Sequence, residues 1–135
     1  MDGSVNLPVK VCHTIWSSSL ATNKSRTRIY VSCHRPSAVY VYSIDETLIF
    51  TYKHNALDGA RGVAVDRDEN VYVVGEKSVN IHQVSPDGAP LQVFSDGIPK
   101  SPGAICFASS GDKFILIGDF LVIGDRKLVQ IFELK

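Results

Sequence analysis

RGVAVDRDENVYVVGEKSVNIHQVSPDG, residues 61–88, decides the fold predicted for this chain. It consists of short segments rich in Val, Ile and Tyr, separated by clusters of Asp, Asn, Gly and Pro, as is typical of β-strands joined by tight turns. The predicted strands are GVAVD (62–66), NVYVVG (70–75), NIHQVS (80–85) and, after the Pro-Asp-Gly turn, PLQVFSD (90–96). Together they predict a four-stranded antiparallel meander.

The pattern of this unit recurs at a fixed interval. RIYVS (28–32), NVYVV (70–74) and DKFIL (112–116) place Tyr30, Tyr72 and Phe114 at successive intervals of 42 residues. A period of about 40–45 residues with several short strands per unit is typical of β-propeller blades. We therefore predict an all-β propeller segment in which this aromatic series packs between neighbouring blade sheets.

The chain is predicted to be a single domain, residues 1–135, with three blades. Blade 1 covers residues 11–55, blade 2 covers 61–96, and blade 3 covers 103–135 and lacks its outer strand. In blade 1, VCHTIW (11–16) is expected to form the inner strand and residues 17–27 the loop after it. Blade 3 is expected to have strands at 103–108, 113–118 and 127–134.

Residues 61–88 resemble an NHL repeat, through the Arg-Gly-Val-Ala-Val-Asp opening, the short turn and the Asn-Val-Tyr-Val strand. The chain is similar in this respect to the C-terminal NHL propellers of tripartite-motif-like proteins. The resemblance implies six-bladed rings that bind protein partners or, alternatively, RNA. It is looser over residues 11–55, where the Gly-Val-Ala-Val-Asp opening is missing, and no RING, B-box or coiled-coil sequence is found.

Three blades are too few to close a ring, and the two free flanks would expose apolar surface. We expect two copies to form a homodimer of six blades, with residues 4–11 acting as a spare strand beside the incomplete blade. The alternative to a homodimer is that blades of a longer gene product complete the ring. Residues 119–125 either extend a hairpin or contribute to the contact between subunits. The residues predicted at the subunit interface are Val5, Leu7, Val9, Phe120, Leu121 and Ile123.

Composition restricts the function classes. The 14 basic and 14 acidic residues cancel, so there is no overall excess of positive charge for binding phosphates. The sequence shows neither a secretory signal nor a membrane-spanning apolar run, which predicts a cytoplasmic protein that does not enter a membrane. Cys12, Cys33 and Cys106 are widely spaced and odd in number, and we expect reduced thiols.

No motif for catalysis, cofactor binding or metal binding is present. The four histidines lack the spacings of zinc motifs, and GEKS (75–78) is not a phosphate-binding loop. Asp66 and Asn70 are expected to bond the turn between their strands, and Gly62 and Gly103 to meet crowding near the propeller axis. We predict a non-enzymatic module. The alternative is a hydrolase or lyase of the six-bladed type with an axial metal.

Loops on one face of the propeller are the predicted site of partner binding, since function on repeat scaffolds concentrates on loops held by rigid elements. This face contains the loops between second and third strands and the connections between blades. Its charges are mixed, which favours a protein partner over RNA. The residues expected to converge there are His34, Arg35, Lys77 and Arg126.

Overall fold

A computed structural model describes residues 16–107, 113–118 and 128–133, with side chains described for residues 19–107. The described residues form eleven β-strands and no helix, and hence no helix that could cross a membrane. The strands are β1 (Trp16–Thr22), β2 (Arg28–Arg35), β3 (Ala38–Ser43), β4 (Leu48–Tyr52), β5 (Ala60–Val65), β6 (Val71–Gly75), β7 (Asn80–Val84), β8 (Pro90–Phe94), β9 (Ala104–Phe107), β10 (Lys113–Gly118) and β11 (Leu128–Glu133).

The strands form three antiparallel sheets, which we call blades 1, 2 and 3 in chain order. Blade 1 has the order β1-β2-β3-β4 and blade 2 the order β5-β6-β7-β8, so each is a four-stranded meander. In the described part of blade 3, β9, β10 and β11 form a three-stranded sheet. The all-β architecture and the four-stranded blades were predicted from the sequence and are confirmed.

The inner strand of blade 1 differs from the prediction. It was expected at residues 11–16, but β1 extends from Trp16 to Thr22 and includes the serines assigned to a loop. Leu20, Ala21 and Thr22 pair with consecutive residues of β2. Ser has a weak intrinsic preference for strands, and pairing with β2 overrides it. Residues 11–15 lie outside the described part of the chain.

Two apolar cores separate the blades. The core between blades 1 and 2 contains Tyr30, and the core between blades 2 and 3 contains Tyr72. These tyrosines are 0% and 1% exposed, and the Tyr72 ring packs edge-on against Phe107 with centroids 4.9 Å apart. The prediction of aromatic packing between blade sheets is thus confirmed for these two positions. The side chain of Phe114 is not among the described side chains.

The inner strands β1, β5 and β9 follow one another around the centre of the assembly. The backbone N–H of Gly62 donates to the carbonyl of Gly103 across 2.8 Å. A Cβ atom on Gly62 would clash with that carbonyl and lie 3.0 Å from the nitrogen of Ile105. The crowding predicted at Gly62 is confirmed, because blades 2 and 3 approach each other backbone to backbone.

The side chain of Asp66 holds the turn that joins the inner strand β5 to β6. Oδ1 of Asp66 accepts hydrogen bonds from the backbone N–H groups of Asp68 and Asn70, each 2.9 Å long. Asn70 Nδ2 and the Tyr72 hydroxyl donate to Oδ2, at 3.1 and 3.2 Å. The turn predicted for Asp66 and Asn70 is confirmed. It also places a carboxylate under the buried Tyr72, and burial with this negative charge raises the pKa of Tyr72.

The cysteines depart from the sequence expectation. Cys33 is buried and disulfide-bonded, with its partner outside the described residues, whereas Cys106 is a free, exposed thiol. The expectation that all three thiols are reduced is therefore wrong. Wide spacing along the sequence does not exclude a disulfide, because a bridge requires only that two Cα atoms lie within about 7 Å in the fold.

Candidate partner-binding face

One face of the assembly collects the loops between second and third strands and the connections between blades. In antiparallel meanders, successive loops emerge at alternating ends, so these loops share one end. They comprise residues 36–37, 53–59, 76–79 and 95–103, and we call their surface the loop face. The loop face is the predicted partner-binding site.

The connection between blades 1 and 2 is fixed to the β6–β7 loop by its backbone. The N–H of Glu76 donates to the carbonyl of Gly59 at 2.9 Å, and the N–H of Lys77 donates to that of Asp58 at 3.1 Å. The Ser78 hydroxyl accepts from the N–H of Asp58 at 3.0 Å. Backbone groups that satisfy one another in this way hold two loops in one arrangement.

Two of the predicted site residues meet at this junction. Gly59 has a φ of +67°, and a Cβ atom built on it would lie 3.0 Å from Cγ of Lys77 and 3.1 Å from Nε2 of His34. Both side chains therefore border the same glycine. Arg35 ends β2 and is exposed, and Arg126 lies outside the described residues.

Beside this junction, an ion pair connects strand β5 to the β6–β7 loop. Nε of Arg61 pairs with a carboxylate oxygen of Glu76, and the Arg61 carbonyl accepts a hydrogen bond from the Ser32 hydroxyl of blade 1. Arg61 is thereby neutralised within the fold. It does not contribute an unpaired positive charge to the loop face.

Beneath the loops, a buried histidine joins blade 1 to blade 2. His82 is 0% exposed, and its Nε2 lies 3.1 Å from the carbonyl of Ala56. A carbonyl only accepts, so Nε2 carries the proton, and Nδ1 accepts from the Tyr52 hydroxyl across 2.8 Å. The carbonyl of Ala56 also accepts from Nδ2 of Asn80 at 2.7 Å.

A second imidazole completes this cluster. The His54 ring packs edge-on against His82, with centroids 5.1 Å apart, and stacks on Tyr52 at 6.2 Å. Its Nδ1 accepts the N–H of Ala56 at 3.0 Å. The connection between the blades is thus bound on both sides of Ala56, with the exposed His54 at the surface and His82 in the interior.

Burial lowers the pKa of His82 below its usual value of 6.5, although the hydrogen bond to Ala56 acts in the opposite direction. The neighbouring His54 lowers this pKa further. His82 is therefore held neutral in the fold, in agreement with its hydrogen bonds. This cluster was not identified from sequence. Its only signal was the alternation in NIHQV, which places His82 on the same side of β7 as the apolar Val84.

The chemistry available on the loop face is that of recognition by hydrogen bonds and mixed charges. Within residues 16–107 and the two further described strands, no group of three or more His, Cys, Asp or Glu side chains could hold a metal ion. Both ring nitrogens of His82 are used within the fold. The predicted interface residues Val5, Leu7, Val9, Phe120, Leu121 and Ile123 lie outside the described residues.

No protein-family model matches the sequence, and no curated protein is similar to it in sequence. Solved structures do match in three dimensions. Hydrazine synthase of Kuenenia stuttgartiensis superposes on 93% of the chain, with a TM-score of 0.75 and 10% identity. A nidogen/laminin complex superposes on 87%, with a TM-score of 0.73 and 15% identity. The β-propeller domain of Cps50 (Swd1) from Myceliophthora thermophila superposes on 76%, with a TM-score of 0.65 and 13% identity.

The fold is that of a β-propeller. The propeller segment spans 36%, 44% and 35% of the lengths of these three solved chains.

Proposed function

We propose that this propeller segment is a non-enzymatic module that binds a protein partner through its loop face. The observation that carries the proposal is the junction at Gly59, where two fixed loops bring His34 and Lys77 together. A preorganised surface loses little conformational freedom on binding, so its contacts translate into affinity. Arg35 and Arg126 extend this surface in the proposal.

The mixed charge of the face supports a protein partner. Among its described residues, Lys53, Lys77 and Lys100 are accompanied by Asp58 and Asp96, and Arg61 is paired with Glu76. Binding along a nucleic-acid backbone depends on many unpaired basic contacts. One of the solved structures that share the fold is itself a complex of two proteins, nidogen and laminin.

The proposal includes completion of the ring by homodimerisation, which would cover the blade flanks. Three blades in each copy would give the six-bladed ring implied by the resemblance to NHL repeats. The cytoplasmic location stays a prediction, and the disulfide at Cys33 favours an oxidising compartment instead.

The test compares captured partners of the wild-type protein and of a variant with His34, Arg35, Lys77 and Arg126 all replaced by Ala. The matched control, Lys24→Ala with Arg26→Ala, removes exposed charges from the β1–β2 turn on the opposite face. We expect the fourfold variant to lose a partner that the control retains, at unchanged thermal stability. Equal binding by both variants would refute the loop-face proposal. Loss of the partner after ribonuclease treatment would indicate RNA as the ligand.

A further inference from the structure

Part of blade 1 is covered on the side that faces away from blade 2, which we call its outer flank. In β2, Tyr30 points into the core between the blades, so Val31 and Cys33 point to the outer flank, and Ala38 pairs with Cys33 on the same side. Val31, Cys33 and Ala38 are 9%, 0% and 0% exposed. Among the described strands, the sheet that packs against blade 1 is blade 2, on the opposite side. A segment outside the described residues therefore covers this part of the flank.

The cover is confined to one end of the outer flank. Cys33 and Ala38 form the last pair of the β2–β3 hairpin before the loop at residues 36–37, which belongs to the loop face. Leu20 of β1 pairs with Val31 on the same side and is 67% exposed. The covering segment thus crosses the loop-face end of blade 1 and leaves the flank around Leu20 open to solvent.

The repeat shows which segment crosses at this place. The 42-residue interval makes Gly75 the counterpart of Cys33 and Asn80 the counterpart of Ala38, and each pair is hydrogen-bonded in the same register. A Cβ atom on Gly75 would lie 3.2 Å from Cδ1 of Leu57, in the connection that leads into the inner strand β5. The corresponding segment of blade 1 is the chain immediately before its own inner strand, β1.

That segment contains Cys12. The sequence has three cysteines, of which Cys106 is a free thiol and Cys33 is disulfide-bonded, so Cys12 is the partner that remains within the chain. Its position agrees with the repeat, because it shortly precedes Ser17, the residue of β1 that pairs with Cys33.

A covalent bond takes the place of hydrogen bonds that blade 1 lacks. The connection into β5 is held by Nδ2 of Asn80, which donates to the carbonyl of Ala56, and by the backbone of the loop at residues 76–79. In blade 1 the counterpart of Asn80 is Ala38, whose side chain has no donor. The β2–β3 loop is shorter, and its Pro36 has no N–H. The segment that enters β1 is therefore not fixed by the contacts that fix its counterpart.

We infer that Cys12 and Cys33 form a disulfide that holds the segment entering β1 across the loop-face end of blade 1, and that this bond is a redox-controlled latch over the outer flank. With the bond intact, the apolar end of the flank is closed. With the bond reduced, Val31, Cys33 and Ala38 become accessible to another molecule. The latch requires neither the proposed loop-face partner nor the closure of a ring.

A dithiol is the class of reductant that opens the latch. One thiolate of the reductant attacks a sulfur of the bridge, which breaks the S–S bond, forms a mixed disulfide and releases the first cysteine. The second thiolate of the reductant then displaces the other cysteine. Two electrons pass to the protein and each cysteine takes up a proton, while the dithiol becomes a cyclic disulfide.

Peptide mapping of the unreduced full chain tests the bond itself. We expect one linked pair of peptides, which contains Cys12 and Cys33, and a monomer on unreduced electrophoresis. A link from Cys33 to Cys106, a covalent dimer or an unlinked Cys33 would overturn the inference.

Alkylation of the native protein tests the latch. Cys12→Ser leaves Cys33 as a thiol, and we expect it to be labelled at a rate comparable with that of the exposed Cys106. The wild-type protein reduced with dithiothreitol should behave in the same way, whereas the unreduced protein should be labelled at Cys106 alone. A Cys33 thiol that stays protected in both opened forms would overturn the latch, because the flank would remain covered without the bond.

Thermal unfolding with and without dithiothreitol gives a second measurement. The bridge closes a loop of about 20 residues, so its reduction should lower the unfolding temperature of the wild-type protein by about 5–10 °C. Cys12→Ser should unfold at the lower temperature with or without the reductant, and the matched control Cys106→Ser should respond as the wild type does. An unchanged wild-type temperature, or an equal effect of the reductant on Cys12→Ser, would contradict a latch made by this bond.

Discussion

The hydroxyl of Tyr52, at the end of blade 1, donates a 2.8 Å hydrogen bond to Nδ1 of His82 in the interior of blade 2. The bond connects two blades whose other buried contacts are mainly apolar. An apolar core tolerates small shifts of one sheet over another, whereas a buried hydrogen bond has a narrow range of distance and angle. We therefore regard this pair as fixing the position of blade 1 on blade 2.

Replacing Tyr52 with Phe is expected to lower the free energy of unfolding by about 1–3 kcal/mol, because Nδ1 of His82 would be buried without its donor. Urea denaturation measures this change. The matched control is Tyr42→Phe, which removes the hydroxyl of a half-buried tyrosine on the other side of blade 1. We expect it to change stability by less than about 0.5 kcal/mol, and equal effects of the two substitutions would contradict the role given to the Tyr52 bond.

Stability should decrease as the pH falls below about 6.5, the value expected for histidine in the unfolded chain. The pKa of His82 is lowered in the fold, so the unfolded state binds the proton first. The contribution of neutral His82 to stability is fully present above the unfolded pKa. It decreases as the pH falls from the unfolded pKa to the folded pKa. The slope approaches about 1.4 kcal/mol per pH unit for one proton.

Chemical denaturation at pH 8, 7, 6 and 5 tests this dependence. His82→Gln removes the titrating group but keeps an amide donor for the Ala56 carbonyl, so its stability should vary less over the same range. A variant that retained the full slope of the wild-type protein would assign the proton uptake to another group.

Gly62→Ala should destabilise the protein by about 1–3 kcal/mol, the usual effect of overpacking a tight contact. The added methyl group would meet the backbone of blade 3, which cannot move aside as a flexible side chain can. Gly97→Ala is the control, because nothing lies within 4 Å of its Cβ position although its φ is +73°. It should cost only about 1 kcal/mol in backbone strain. Thermal unfolding of the two variants decides whether contact or conformation dominates.

Alkylation of the denatured, unreduced protein should modify one thiol per chain, that of Cys106, because Cys33 is already in a disulfide. The protein is denatured so that a thiol buried by folding or assembly is not mistaken for a thiol in a disulfide. Peptide mass mapping should find the label at Cys106, and Cys106→Ser should take up none. Label on Cys33 before reduction would show that the disulfide does not form.

The strands of blade 2 could be predicted from sequence because local and global preferences agree there. Turn residues flank alternating apolar runs, and β5 to β8 lie close to their expected limits. Blade 1 was harder. Asn23 holds the turn after β1 as Asp66 holds the turn after β5. The sequence Thr-Asn-Lys-Ser around it resembles an ordinary loop, and β1 was therefore predicted too early in the chain.

The candidate site was only partly predictable. Equivalent positions in the repeat indicated that His34 and Lys77 share a face, which their contact with Gly59 supports. The Tyr52, His54 and His82 cluster depends on contacts between residues up to 30 positions apart that are made only when the blades pack. No local spacing expresses such a contact, and motif searching along the chain could not reveal it.

All five residues of β6, from Val71 to Gly75, are buried, because blades 1 and 3 cover the two sides of this strand. Its amide groups pair with β5 and β7 and are covered on both faces of the sheet, so they reach water only after this packing and pairing have opened. Hydrogen exchange should therefore be slowest in β6 and faster in the outer strands β4 and β8, whose residues are mostly exposed. The middle blade is therefore expected to open last, and opening of the segment is expected to begin at blades 1 and 3.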